Sequence, residues 1–315
     1  MSAPTALVDD RPEGSGPSSA ARARRRRRNV TGWGFALPWF VLFAVFLAGP
    51  ILASLVLSFT DFGLRDLRDP FGADLIGLDN FTRLAGDPKF LQASLNTLYF
   101  VVAGVPLTLG CGLGIALLLN SAVIRARSLF RMGFYLPVVT SIVAIAVIWR
   151  YLLHPDLGLV NALLGSAGID GPNWLASPTL AMPAIIGMAV WRNVGFVMVI
   201  FLAGLQGIPK DLMEAARVDG SSKWQELRHI TLPMLRPTIL FASVITGIGY
   251  LQLFEEPFVM TGGGPLDRTL SVTMLVYQHG FNFMNLGYAS AIAYALFVAI
   301  VVLTVINFRL IRTDT

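Results

Sequence analysis

Few residues capable of chemistry stand where they can act together. His154, His229 and His279 are scattered along the chain and offer no metal-ligand constellation. Cys111 is the single cysteine and lies in an apolar run, which excludes an intrachain disulfide and a cysteine-based metal site. There is no Gly-Lys dipeptide, so no phosphate-binding loop of the G-x-x-x-x-G-K-[ST] type is present. No catalytic residue and no metal site is therefore assigned. What remains is charge in apolar surroundings. Arg192, between Trp191 and Asn193, is the one charge in the run Thr179–Leu205. Glu255 and Glu256 end the run Pro237–Phe254, which holds Tyr250 and Gln252. An arginine at a membrane-helix centre costs on the order of 2.5–3.5 kcal/mol on insertion scales, so it turns toward a cavity or a partner. Two readings of these residues stay open. Trp191, Arg192 and Asn193 line a path for a solute, with Trp191 a stacking face, and Tyr250, Gln252, Glu255 and Glu256 supply hydrogen bonds to it. Alternatively, Arg192 pairs with Glu255 or Glu256 or snorkels, and the remaining polar groups satisfy neighbouring helices.

The elements that carry these residues belong in a bilayer. Of 315 residues 55% are hydrophobic and 14% charged, with a mean hydropathy of +0.65. Ordinary soluble domains carry about 25% charged residues. A spanning helix needs about 20 mainly apolar residues. Six runs qualify: Gly34–Phe59, Leu91–Asn120, Met132–Trp149, Thr179–Leu205, Pro237–Phe254 and Leu286–Phe308. The expected fold is all-α, a polytopic membrane protein with six transmembrane helices. The first run is too long for a signal-peptide core, which spans about 7–15 residues, and reads as an uncleaved helix. Residues 1–29 read as a disordered cytoplasmic tail ending in the basic cluster Arg22 to Arg28. That cluster flanks an apolar helix and anchors it, so nucleic acid is not an expected partner.

Lys and Arg set the orientation. With the N-terminus inside, 17 fall on the cytoplasmic side and 6 outside, with Arg192 in the membrane, which accounts for all 24. The bias follows the positive-inside rule and places both termini in the cytoplasm. No acidic residue is buried mid-span, which argues against a proton- or sodium-driven carrier.

The charged stretch 207–235 between the fourth and fifth runs then faces the cytoplasm. Pro209 suits a first helical turn. The helix through "KDLMEAARVD" stops at Gly220, which can take the left-handed conformation past a helix end. Ser222 and Gln225 form a capping box for a second helix, and Pro233 closes it. The expectation is a rigid hairpin projecting from the membrane.

Within it, "EAARVDGSSKWQELRHITLP" resembles the E-A-A-x3-G-x9-I-x-L-P signature of ABC importer permeases. Glu214, Ala215, Ala216, Gly220, Ile230, Leu232 and Pro233 match at every defined position. "GLDNFTRL", "LNTLYF", "HPDLGLVNALL", "WRNVGFVMVIFLAGLQGIP", "FEEPFVMTGGGP" and "NLGYASAIAY" are similar to carbohydrate-importer permeases of the maltose and glycerol-3-phosphate type, the first of their two permeases. The similarity covers roughly residues 30–310. An amino-acid, peptide or phosphate permease is the alternative within the same class.

The resemblance implies a type I ABC importer permease fold over residues 30–315. It implies that 207–235 is a coupling hairpin seated in a separate ATPase, with Glu214 paired to a basic residue there. It further implies a second homologous permease, an ATPase dimer that binds ATP and Mg, an extracytoplasmic sugar-binding protein, a sugar substrate and the bacterial inner membrane. No cofactor is expected on this chain itself.

Overall fold

The computed structural model describes residues 33–69, 72–121 and 126–310. The tail expected over residues 1–29 lies outside the described residues. Among the described residues the secondary structure is helical, without a strand. Isolated antiparallel bridges join Thr60 to Leu75 and Gly63 to Asn285. The described residues divide into two compact units, 33–54 and 55–310. Helix α1, Trp33–Leu57, begins in the first. It is apolar on every side, contains a π turn at Ala44–Ala48, and stacks Trp39 on Phe43 at 5.2 Å.

In the second unit, α2 (Asp79–Gly86) leads into α3 (Pro88–Asn120), and the Asp87 side chain caps α3 by accepting from the Lys89 amide at 2.8 Å. Then follow α4 (Arg127–Val139), α5 (Ile142–Leu152), α6 (Leu159–Ser166) and α7 (Ala181–Gln206). The charged hairpin comprises α8 (Lys210–Val218) and α9 (Lys223–Met234). The chain ends in α10 (Arg236–Leu251), α11 (Glu255–Met260), α12 (Val272–Tyr277, continued by a π turn at Gln278–Asn282) and α13 (Leu286–Leu310).

Four helices, α1, α3, α7 and α13, are long and apolar enough to cross a bilayer unbroken. Two pairs qualify only together: α4 with α5, bent by 98°, and α9 with α10, bent by 67°. The count reaches six only when each bent pair is one span. The run expected as one helix over Met132–Trp149 is thus two. Pro137 removes an N–H from the last turn of α4, and Thr140 turns extended (ψ 146°), which ends it. Pro233, expected to close the hairpin, instead lies inside α9. A π turn at Leu227–Thr231 widens the helix and carries the ring past the preceding carbonyls. Pro209 serves as the residue before α8 rather than its first helical residue.

The core is the pair α3 and α7, with α4 and α10 packed against it. Small residues permit this, as expected where apolar lipid gives helices no hydrophobic reason to associate. A Cβ on Gly112 of α3 would meet Val197 Cγ1 of α7 at 2.7 Å, and one on Gly104 would meet Tyr250 Cε2 of α10 at 2.7 Å.

At one end of this bundle Tyr288 joins α2, α3 and α13. Its ring is fully buried under Arg83, whose Cζ lies 4.4 Å from the ring centre, and its Oη donates to Asp87 Oδ2 at 2.7 Å. Burial pushes the Asp87 carboxyl up. The hydrogen bonds from Tyr288 and from the Lys89 and Phe90 amides, helped by His279, outweigh burial and hold it below its ordinary value. A depressed folded pKa contributes stability above the unfolded value of about 3.9, and that stability is lost as pH falls through the folded value. Tyr288→Phe should cost about 1.5 kcal/mol near pH 7, as expected for a hydrogen bond to a charged group. In thermal unfolding of the solubilised protein, the gap between wild type and variant should shrink below about pH 3.9. A gap unchanged by acid would remove Asp87 from the account.

Candidate functional site

The helix that begins at Arg236 does not continue past Leu251. Gln252 takes φ −89°, ψ 21°, Phe254 takes φ −143°, ψ −62°, and α11 starts at Glu255. The Ser271 hydroxyl holds this break by donating to the Leu253 carbonyl at 2.6 Å. A cavity of about 350 Å³ opens beside it. Arg192, Asn193, Tyr250, Gln252, Glu255 and Glu256 all line it, so six of the seven polar or aromatic residues singled out for a solute path share one space.

Their partners are few. Arg192 Nη1 donates to Asn193 Oδ1 at 3.4 Å, and Asn193 Nδ2 donates back to the Ala189 carbonyl at 2.9 Å. Arg192 Nε is buried and finds no hydrogen-bond acceptor among the described residues. Glu256 is buried, and neither it nor Glu255 comes within ion-pair distance of Arg192. Tyr250 lies against Phe100 at 4.8 Å between ring centres, and its Oη shares a hydrogen bond of 2.8 Å with Thr108 Oγ1. The cavity thus presents one guanidinium, two carboxyls and two amides with unspent hydrogen-bonding capacity. That set can recognise a polyhydroxylated solute by many weak directional bonds.

Trp191 is the exception. It lines a separate cavity of about 290 Å³ with Phe130, Phe134 and Pro137, and its ring centre is 5.8 Å from that of Trp149. Thr246, Phe196 and Ile142 also line the Arg192 cavity and were not singled out from the sequence. Thr246 stands one turn before Tyr250 and Phe196 one turn after Arg192, so helical spacing alone could have found them. Ile142 could not have been found that way, because it arrives through the break between α4 and α5.

The hairpin forms a second group. Its first helix ends with Ser221 N donating to Ala216 O at 3.0 Å and Gly220 at φ +82°, a left-handed C-terminal turn. Ser222 N donates to Gln225 Oε1 at 2.8 Å and Gln225 N to Ser222 Oγ at 3.3 Å, the reciprocal capping box. Arg217 Nε donates to the buried Glu226 Oε1 at 3.1 Å and locks α8 to α9. Glu214, Ala215 and Gly220 are exposed, whereas Ala216, Ile230, Leu232 and Pro233 are half-buried. Glu214 borders a hollow of about 380 Å³ with Asn120, Gln206, Lys210 and Arg217, and Gly220 and Ile230 border another of about 280 Å³. Apolar side chains project beside them: Val218 is 87% and Trp224 67% exposed, too much for a surface that faces only water.

Several apolar spans around a polar cavity, with a rigid charged hairpin between two of them, define a multi-pass membrane permease. The chain belongs to the binding-protein-dependent transport system inner membrane component family, whose model matches residues 84–312. It is 40% identical to the probable ABC transporter permease protein YesP of Bacillus subtilis (strain 168), over 94% of this chain and 95% of that one. It is 37% identical to the lactose transport system permease protein LacF of Rhizobium radiobacter, over 91% and 96%. Among solved structures, a chain of a bacterial alginate ABC transporter, determined with an alginate pentasaccharide-bound periplasmic protein, aligns with a TM-score of 0.79. It shares 26% identity over 92% of this chain and 96% of that one. The chain is a transport component and not itself an enzyme.

Proposed function

We propose that this chain is one membrane-spanning half of an ATP-driven importer of saccharides in a bacterial inner membrane. The observation that carries the reading is the cavity at the α10 break, where Arg192, Asn193, Tyr250, Gln252, Glu255 and Glu256 meet with few partners of their own. The names of the relatives, lactose for one and alginate for another, support a hydroxylated solute. Each bent pair is one span, giving six, and both termini are cytoplasmic. An extracytoplasmic binding protein delivers the sugar, and a second, homologous permease supplies the other half of the path. A separate ATPase dimer holds ATP and Mg, and this chain binds no cofactor. Glu214, Ala215, Ala216, Gly220, Ile230, Leu232 and Pro233 belong to the hairpin that seats in the ATPase. Closure of that dimer, carried through the hairpin, switches the cavity between outward and inward access. Trp191 lies outside the Arg192 cavity and serves its neighbour, where it packs against Trp149.

The test is purification of the tagged chain from its native host in mild detergent. Recovery with a second permease and an ATPase, and ATP hydrolysis stimulated by a sugar-loaded binding protein, is the expected result. A chain recovered alone that moves solute without ATP would overturn the reading.

A further inference from the structure

Gln252 and Glu255 border two cavities. One is the Arg192 cavity; the other, of about 440 Å³, is lined also by Phe254, Thr273 and Phe297. Both volumes fall within the roughly 300–1,000 Å³ typical of small-molecule sites. The same two side chains reach both because they stand on the non-helical turn between Leu251 and Glu255.

Thr273 is the telling residue. Its Oγ1 is buried and finds no hydrogen-bond partner among the described residues. A threonine within a helix returns its hydroxyl to the carbonyl one turn back, as Thr108 does to Gly104 and Thr304 to Ile300. Thr273 is the second residue of α12, so no helical carbonyl stands behind it. Beside it the Phe254 ring is fixed, stacked on Phe258 at 5.0 Å and tilted against Tyr277 at 5.5 Å. Phe297 contributes a second, exposed ring. An aromatic face takes the C–H face of a sugar ring, while an amide, a carboxyl and an unspent hydroxyl take its hydroxyl groups. Among the described residues Glu255 is the one charged side chain lining this cavity, so it disfavours an anionic unit.

We infer that this second cavity holds a second, uncharged glycosyl unit of the same solute, so that a di- or oligosaccharide straddles the Gln252–Glu255 turn. The inference rests on the saccharide reading above.

The test uses the complete importer in proteoliposomes with Thr273→Cys in a Cys111→Ala background. Uptake is measured for lactose, trehalose, maltotriose, galactose, glucose and arabinose, and the introduced thiol is then alkylated with N-ethylmaleimide. The expected result is that a transported di- or trisaccharide slows alkylation about tenfold and its monosaccharides do not. Thr273→Val should raise the half-saturation concentration for that sugar about tenfold, the loss of one buried hydrogen bond, and Thr273→Ser should restore it. Uptake of none of the six sugars defeats the saccharide reading and the inference with it. Sugar uptake with equal protection by monosaccharides defeats the inference alone. So does a Thr273→Val variant whose half-saturation concentration for every transported sugar equals that of the wild type.

Discussion

Glu214→Arg in the hairpin is expected to abolish solute uptake by the complete importer, with the chain still inserted and folded. The hairpin does not depend on Glu214 for its shape. It is held by the turn at Gly220, the Ser222–Gln225 capping box and the Arg217–Glu226 ion pair. The Glu214 side chain is exposed and forms no ion pair among the described residues, so its charge is available to another chain. Moving a two-state equilibrium from 1:99 to 99:1 takes about 5.5 kcal/mol, which one surface contact cannot generate and can only transmit. Placing a like charge opposite a basic partner costs several kcal/mol at a docked interface. A fall in uptake of about 100-fold, equivalent to about 2.7 kcal/mol, is therefore a modest expectation. Sugar-stimulated ATP hydrolysis should fall with it. Wild-type uptake by Glu214→Arg would sink the coupling role of the hairpin.

Gly195→Val should have the largest effect on stability. Gly195 lies on α7 where that helix meets α4, and a Cβ there would collide with the carbonyl oxygen of Phe134. The Phe134 carbonyl carbon would be 2.6 Å away and Tyr135 Cα 3.0 Å. These are backbone atoms, which no rotamer change can move aside. Overpacking typically costs about 1–3 kcal/mol, and an obstacle made of main chain belongs at or beyond the upper end. Arg192 stands less than one turn away on the same helix, so displacing α7 from α4 also shifts the cavity. A lower midpoint in thermal unfolding of the purified complex and a loss of uptake should appear together. Gly187→Ala on the same helix is the control, because its Cβ would enter open space. Equal unfolding midpoints for Gly195→Val and wild type would show that α4 and α7 do not approach this closely.

The two groups of residues differ in how readable they were. The turn and the second-helix cap of the hairpin were legible because their determinants are local, whereas the places of Pro209 and Pro233 were not. The left-handed glycine and the capping box each act within a few residues, and both form as their residue types require. The spans were legible in extent, for α3 was expected to start at Leu91 and starts at Pro88, and α7 was expected at Thr179 and starts at Ala181. Their continuity was not. Apolarity over Met132–Trp149 measures suitability for lipid and carries no direction, so the 98° bend left no trace in it. The Pro137 that marks the bend is tolerated in many straight membrane helices.

Around the cavity, side-chain direction was the missing quantity. Trp191, Arg192 and Asn193 read as one group because they are adjacent. A helix turns about 100° per residue, and that rotation places Trp191 in a different cavity. Whether Arg192 would pair with a nearby glutamate was equally open, since Glu255 and Glu256 lie far away in sequence. The fold sets them around a shared space without an ion pair.

By itself, then, the amino-acid sequence determined that this chain lives in a bilayer, which segments are apolar enough to cross it, and that a capped charged hairpin interrupts the apolar runs. Composition and short-range hydrogen bonding decide those matters within a turn or two of helix. Only the tertiary structure decided that Arg192, Asn193, Tyr250, Gln252, Glu255 and Glu256 border one cavity, and that Gln252 and Glu255 border a second. Those meetings depend on the rotation of each helix about its axis and on where α10 breaks. The first is set by close packing at Gly104, Gly112 and Gly195 between segments far apart in the chain, and the second is held by the Ser271 hydroxyl on the Leu253 carbonyl.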